Sequence, residues 1–158
     1  MDYLIREAKE QDYKGILQLY DEITLLHVEA LPQIFIKADT PFWNKEYIFE
    51  IIESENSVIF LAESDNKIIG LIEVEIRESP DIPIMVKRRY AYVGTIVVSE
   101  TFRHIGIGKD LMRWVEKWVV EKDVSQIEFN VWDFNQNAMR FFNKLGYSSS
   151  RHILWKVI

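Results

Sequence analysis

A chain of 158 residues suits one domain, and 48% hydrophobic with 28% charged residues is a globular balance that excludes a disordered or fibrous reading. With no cysteine, disulfides, thiolate zinc sites and a cysteine nucleophile are excluded; His27, His104 and His152 lie far apart, which argues against a metal site built from three or four converging ligands. A net charge of −6 opposes broad attraction to nucleic acid or an anionic membrane and favours cationic substrates such as amines.

The opening residues Met1 to Glu7 have neither a basic n-region nor a long apolar stretch, and no later apolar run reaches about 18 residues, so a soluble, cytoplasmic protein is expected. Tyr3 to Ala8 has strand character, and Asp12 stands where an N-cap precedes the helical pattern Ile16, Leu17, Leu19, Tyr20, Ile23. The apolar cluster between Thr24 and Thr40 predicts a helix ending near Pro32. Thr40-Pro41 then opens another through Trp43, Tyr47, Ile48, Ile51 and Ile52.

Ser57 to Glu63 and Lys67 to Arg77 are β-rich runs around Asp65-Asn66, a polar turn suited to an antiparallel hairpin. After the loop Pro80 to Arg89, the run Tyr90 to Val98 reads as a central strand covered on both faces, and Gly94 within it marks a bulge or a close approach by another group. Gly106 to Glu121 sets Ile107, Leu111, Trp114, Val115 and Trp118 against a charged face, which predicts an amphipathic helix. Gln126 to Trp132 follows as a strand parallel to Tyr90 to Val98. Asn135 starts a short helix over Ala138 to Leu145, Gly146 ends it, and a last strand fills the C-terminus. Without repeats or linkers, residues 1–158 read as a single domain.

The chemistry concentrates in Arg103-His104-Ile105-Gly106-Ile107-Gly108-Lys109, between an apolar strand and an amphipathic helix. Glycines there let backbone approach a ligand, and the unpaired N–H groups of a helix's first turn form an anion site that fits a pyrophosphate. A tight strand-to-helix turn needing glycine is the other reading. A Walker A loop fails, because Asp110 follows Lys109 where Ser or Thr is required; the dinucleotide fingerprint is weak, with Leu111 where its third glycine belongs and the strand deep in the chain.

Arg103 through Gly108 resembles the signature of the GNAT superfamily of acetyl-CoA-dependent N-acetyltransferases: Arg or Gln, two residues, Gly, one residue, Gly or Ala. Downstream, Asn135, Ala138, Phe141-Phe142 and Gly146-Tyr147 match that superfamily's second pattern, and Ile5-Arg6 with Asp12 resemble its first strand and helix cap. The resemblance implies an α/β (α+β) fold, a mixed twisted sheet of about six or seven strands flanked by about four helices, with the parallel strands at 90–98 and 126–132 splayed around the pantetheine arm. It implies that the strand at Ile96, Val97 and Val98 meets the pantetheine, Ile96 and Val98 bonding it through their backbone. The amides from His104 to Lys109 would bind the pyrophosphate, Asn135 and Phe141 would flank the arm, Ala138 would leave it room, and Phe142 would stand beside the thioester. Core packing is the competing reading for Phe141 and Phe142.

Two positions depart from that pattern. Where the superfamily often carries a Glu base the chain offers Tyr92 and Gly94, and where it commonly carries a Tyr acid the chain has Phe142. The proton acceptor is then Tyr92, or Glu73 or Glu75 of the neighbouring strand acting through water, or positioning alone drives the transfer. The expected activity is acetyl transfer from acetyl-CoA to an amine of a small molecule or protein, by direct attack in a ternary complex and without a metal; the alternative is a catalytically weak acyl-CoA-binding module. No nucleic-acid or membrane partner is expected, and a homodimer stays open. His27, Glu29, Phe35 and Trp43 are candidates for an acceptor pocket.

Overall fold

Asp65 and Asn66 both take left-handed φ values, 50° and 60°, which is the two-residue turn whose twist matches the strands it joins. It links β2 (Ser57–Ser64) to β3 (Lys67–Glu78), with Ser64 paired to Lys67. The computed structural model describes residues 2–38 and 42–158. Around this hairpin lie β1 (Leu4–Glu7), antiparallel to β2, and β4 (Arg89–Val98), antiparallel to β3; β5 (Ile127–Glu128) is parallel to β4. The sheet order is β1-β2-β3-β4-β5.

α1 (Tyr13–Ala30) continues without a break into the segment expected to hold a separate helix. It stops at Leu31 because the residue before Pro32 is pushed out of the helical region, here to φ −135° and ψ 60°. Asp12 does not cap it. Its carboxylate instead accepts bonds from Arg6 at 2.7 and 2.9 Å and from the Lys9 N–H at 2.8 Å, tying β1 to a 3-10 turn over Glu10–Asp12. α2 (Lys45–Glu53) begins with Asn44, whose side chain accepts the Tyr47 N–H at 2.8 Å; the expected start at Thr40-Pro41 falls outside the described residues. α3 (Ile107–Glu121) and α4 (Gln136–Lys144) follow the predicted order, and Gly146 ends α4 at φ 91°.

Strand alternation sends Ile59, Leu61 and Leu71 to one face, where α1 and α2 bury Ile16, Tyr20 and Ile48 completely. Val58, Phe60, Ile72 and Val74 go to the other, beneath Leu111, Met112 and Val115 of α3 and Phe142 of α4. At about 1.5–3 kcal/mol for each fully buried large apolar side chain, these two layers carry the fold. β4 changes sides midway: Ala91 and Val93 pack under α3, while Val97 packs under α1 and α2. The ladder to β3 explains this, because Glu73 pairs with Thr95 and Val74 with Val93, leaving Gly94 as an extra residue.

Two expectations are corrected. β5 is limited to Ile127 and Glu128, paired with Ala91 and Tyr92, instead of running from 126 to 132. The last strand is absent among the described residues: 148–158 join no ladder, and Ile153, Leu154 and Trp155 are 80%, 92% and 67% exposed. A strand exists only against a partner edge. Beyond Tyr92 the bulge takes β4 away, so β5 has no inner partner to extend along and offers almost no outer edge to a following segment. The sheet therefore has five strands among the described residues, not six or seven.

Candidate active site

The loop before α3 has an unusual backbone. His104 and Gly106 both take positive φ, 68° and 101°, and Gly106 serves as the N-cap without any side chain to satisfy the first turn. The first helical bond runs from the Asp110 N–H to the Gly106 carbonyl at 3.1 Å. Among the described residues, the amides of His104 through Lys109 have no acceptor, and alternating left- and right-handed residues turn such amides into an anion-binding concavity at the positive end of a helix. Asp110, the one acid in the first turn, is held aside: it accepts from the Tyr3 hydroxyl at 2.7 Å and from Arg113 at 3.1 Å. That bond to Asp110, with burial, pushes the Tyr3 phenol up to about 12.

The Arg103 side chain turns away from the loop amides. Its Nε donates to the Val98 carbonyl at 3.0 Å and its Nη2 to Glu22 of α1 at 3.0 Å. The Ser99 N–H bonds Ile69 on the β3 side at 2.9 Å, so by alternation the backbone groups of Ile96 and Val98 point to the opposite edge, where no strand pairs and the Val98 carbonyl takes the Arg103 bond. Val97, between them, turns its side chain into the α1 and α2 core. Pairing between β4 and β5 ends at Tyr92 and Glu128, so a gap opens from Gly94 toward the amides of the α3 loop.

Phe141 reaches that loop: a Cβ built on Gly108 would lie 3.2 Å from its Cζ. Asn135 caps α4, its Oδ1 accepting the Ala138 N–H at 3.1 Å, and Ala138 packs partly buried beside the same core. Phe142 is 5% exposed, with ring centres of Phe129 at 4.4 Å, Phe141 at 5.0 Å and Tyr147 at 6.0 Å around it.

At the other end of the gap stands Glu73. It is 7% exposed, and its Oε1 would sit only 2.9 Å from a Cβ at Gly94, so the missing side chain on β4 leaves the carboxylate of β3 facing the opening. The Tyr20 hydroxyl donates to Oε2 at 2.5 Å and the Tyr47 hydroxyl to Oε1 at 2.7 Å. Burial pushes the Glu73 carboxyl up, the two phenols pull it down, and burial wins. Burial and the facing carboxylate drive both phenols well above their ordinary range, so each stays a donor. Trp43 stacks on Tyr20 at 4.4 Å and 14°, meets Tyr47 at 5.3 Å, and donates its indole N–H to Thr24 at 3.2 Å.

Glu75 lies on the same strand, half exposed and ion-paired with Arg77, whose guanidinium covers the Tyr92 ring at 3.6 Å. The Tyr92 hydroxyl accepts from Asn130 at 2.8 Å, so this phenol stands at the rim. His27, Phe35, Trp132 and Phe134 form a second aromatic group, with ring centres 5.2 to 5.8 Å apart. The helical pattern in the sequence treats Tyr20 and Tyr47 only as apolar positions. The signal that distinguishes them is that a tyrosine on an inward helix face requires a partner for its hydroxyl.

A parted sheet edge with an unsatisfied loop at a helix start at one end and a buried acid at the other is the arrangement an acyl-CoA transferase requires. The profile of the Acetyltransferase (GNAT) family matches residues 28–147, and the chain belongs to that family. The L-ornithine N5-acetyltransferase NATA1 of Arabidopsis thaliana is 28% identical over 107 residues, which is 68% of this chain and 46% of that enzyme; the match thus spans about half the length of this curated relative. Among solved structures, a mutant of the BH1408 protein from Bacillus halodurans is 26% identical with a TM-score of 0.92, covering 98% of this chain and 99% of the other. The aminoglycoside acetyltransferase AAC(6')-Iy, solved with a CoA bisubstrate analogue, shares the fold at a TM-score of 0.78 and 16% identity, over 100% of this chain and 99% of its own.

Proposed function

We propose that this single domain transfers an acetyl group from acetyl-CoA to an aliphatic amine, by direct attack with both substrates bound. The observation that carries the reading is the placement of Glu73 Oε1 behind Gly94, where the gap between β4 and β5 begins, with the free amides of His104 to Lys109 at its far end. Acetyl-CoA supplies a thioester whose carbonyl carbon accepts the nitrogen lone pair. The amides of the α3 loop hold the pyrophosphate, the backbone edge at Ile96 and the Val98 N–H order the pantetheine, and Asn135, Ala138 and Phe141 line its other side.

Glu73 takes the proton that keeps the acceptor an ammonium, which frees the nitrogen to form the C–N bond as the C–S bond breaks. The nitrogen's second proton passes to the departing sulfur. Glu73 replaces a base on β4, since Gly94 offers no side chain and Tyr92 stands at the rim. An acceptor alkyl chain fits against Trp43 and Tyr47, because an aromatic face attracts an ammonium and shelters the carbons beside it. L-ornithine, the substrate named for the Arabidopsis relative, is an amine of this kind, which supports that class.

Release of free CoA thiol from acetyl-CoA in the presence of ornithine, simple diamines, an aminoglycoside and a lysine peptide tests the proposal. Turnover of an aliphatic amine, lost in Glu73→Gln, is the expected result. The absence of a phenol at Phe142 favours one competing reading, a module that binds acyl-CoA without transferring it. CoA binding with no thiol release from any amine would establish that module instead.

A further inference from the structure

The two oxygens of Glu73 are in different situations. Oε2 is 4.0 Å from a Cβ built on Gly94 and is closed off by Tyr20, which is fully buried and clamped by the Trp43 stack. Oε1 is 2.9 Å from the same point, faces the gap, and shares one lone pair with the half-buried Tyr47, leaving the other for an incoming group. The phenols come from two helices, 53 and 26 residues away in sequence, and converge on one carboxylate. Such an arrangement is unnecessary for packing, since phenylalanine would fill the same space.

We infer that Tyr20 and Tyr47 are positioning residues for the acetyl transfer: together they aim Oε1 of Glu73 at the gap and fix how readily that oxygen takes a proton. The inference rests on Glu73 being the proton acceptor proposed above. Tyr20 of α1 and Tyr47 of α2 donate to the carboxylate, Glu75 on the same strand repels its charge, and Arg77 beyond Glu75 attracts it; β2 presents Ile59 opposite, and β4 presents Gly94 and Thr95. The phenols are therefore the donors that favour the ionised carboxylate at contact distance, in the place a cation would take in an ordinary ion pair.

Removing either hydroxyl weakens the ionised form, so Glu73 holds its proton to a higher pH. A base must be ionised to act; hence the acidic limb of the rate profile moves to higher pH. The experiment measures kcat and KM for an accepted amine from pH 5 to 9 in wild type, Tyr20→Phe and Tyr47→Phe, with CoA affinity by calorimetry. In parallel, infrared titration follows the protonated carboxyl band that Glu73→Gln lacks. The expected result is a limb and a carboxyl band shifted upward together by about one pH unit in each variant. Turnover should fall about tenfold below the limb and recover toward wild type above it, with CoA affinity unchanged. A fall of equal size at every pH, or an unshifted carboxyl band, overturns the inference and leaves the phenols a packing role. If Glu73→Gln retains full turnover, the reading of Glu73 as the base fails; the infrared titration still decides whether the phenols control its proton.

Discussion

Replacing Glu73 by Gln should stabilise the fold at neutral pH, and by an amount that grows with pH. The glutamine keeps the shape and, like the protonated carboxyl, accepts one phenol through its carbonyl and donates to the oxygen of the other, so it mimics the neutral acid. The carboxylate it replaces is held above its ordinary value of 4.5 by burial. A carboxyl raised on folding contributes its full stability below the unfolded value and loses it as pH rises through the folded one. The slope cannot exceed about 1.4 kcal/mol per pH unit for one proton. With about 2.1 cal/mol/K of unfolding entropy per residue, a domain of 158 residues shifts its Tm by roughly 4 °C for that energy. Thermal melts of both proteins from pH 4 to 8 should therefore show near-equal Tm at the acid end. Above pH 4.5, the Gln variant should gain up to about 4 °C per pH unit, and then the gap should level off. Other carboxylates cancel in the difference. A Tm gap that closes as pH rises would mean that the phenols outweigh burial, and the argument about Glu73 would be wrong.

Gly106→Ala should cost about 1–2 kcal/mol, because φ 101° is strained for any L side chain. It should also raise the CoA Kd at least tenfold by calorimetry; unchanged affinity would reduce the loop to a turn. Phe142→Tyr places a hydroxyl in the core between Phe129 and Tyr147 and should cost roughly 1–3 kcal/mol without raising turnover; faster turnover at unchanged Tm would move that ring to the gap. Gly94→Ala forces a Cβ to within 2.9 Å of Glu73 Oε1 and should lower kcat about tenfold or more with CoA affinity kept. Full activity in that variant would show that Oε1 does not serve the gap.

Local chemistry is legible from the sequence where one segment settles its own structure. The Asp65-Asn66 turn, the amphipathic α3 and the glycine loop depend on neighbours a few residues away, and all three form where expected. Gly94 is legible as a bulge or a close approach, and it is both. The identity of what approaches is not legible. Glu73 meets Tyr20 and Tyr47 only after two helices and a hairpin have packed, and no spacing within the chain encodes that meeting. The C-terminal residues carry strand-like composition, but composition cannot supply the partner edge, so the expected strand does not form. Phe142 matches a motif position, while burial by Phe129 and Tyr147 decides its surroundings.

The extra residue in β4 acts as a phase defect in a two-sided repeat. On either side of Gly94 the strand keeps its alternation, but the two halves are out of step by half a period. Deleting residue 94 would bring them into step with every remaining side chain on its present face, Val93 still under α3 and Val97 still beneath α1 and α2, while removing the extra residue that faces Glu73. The same defect lets β4 end its partnership with β5 while keeping its partnership with β3, since only the half before Gly94 is in step with both. The cleft is thus written into the counting of residues along one strand, and it would persist through extensive exchange of the side chains that line it.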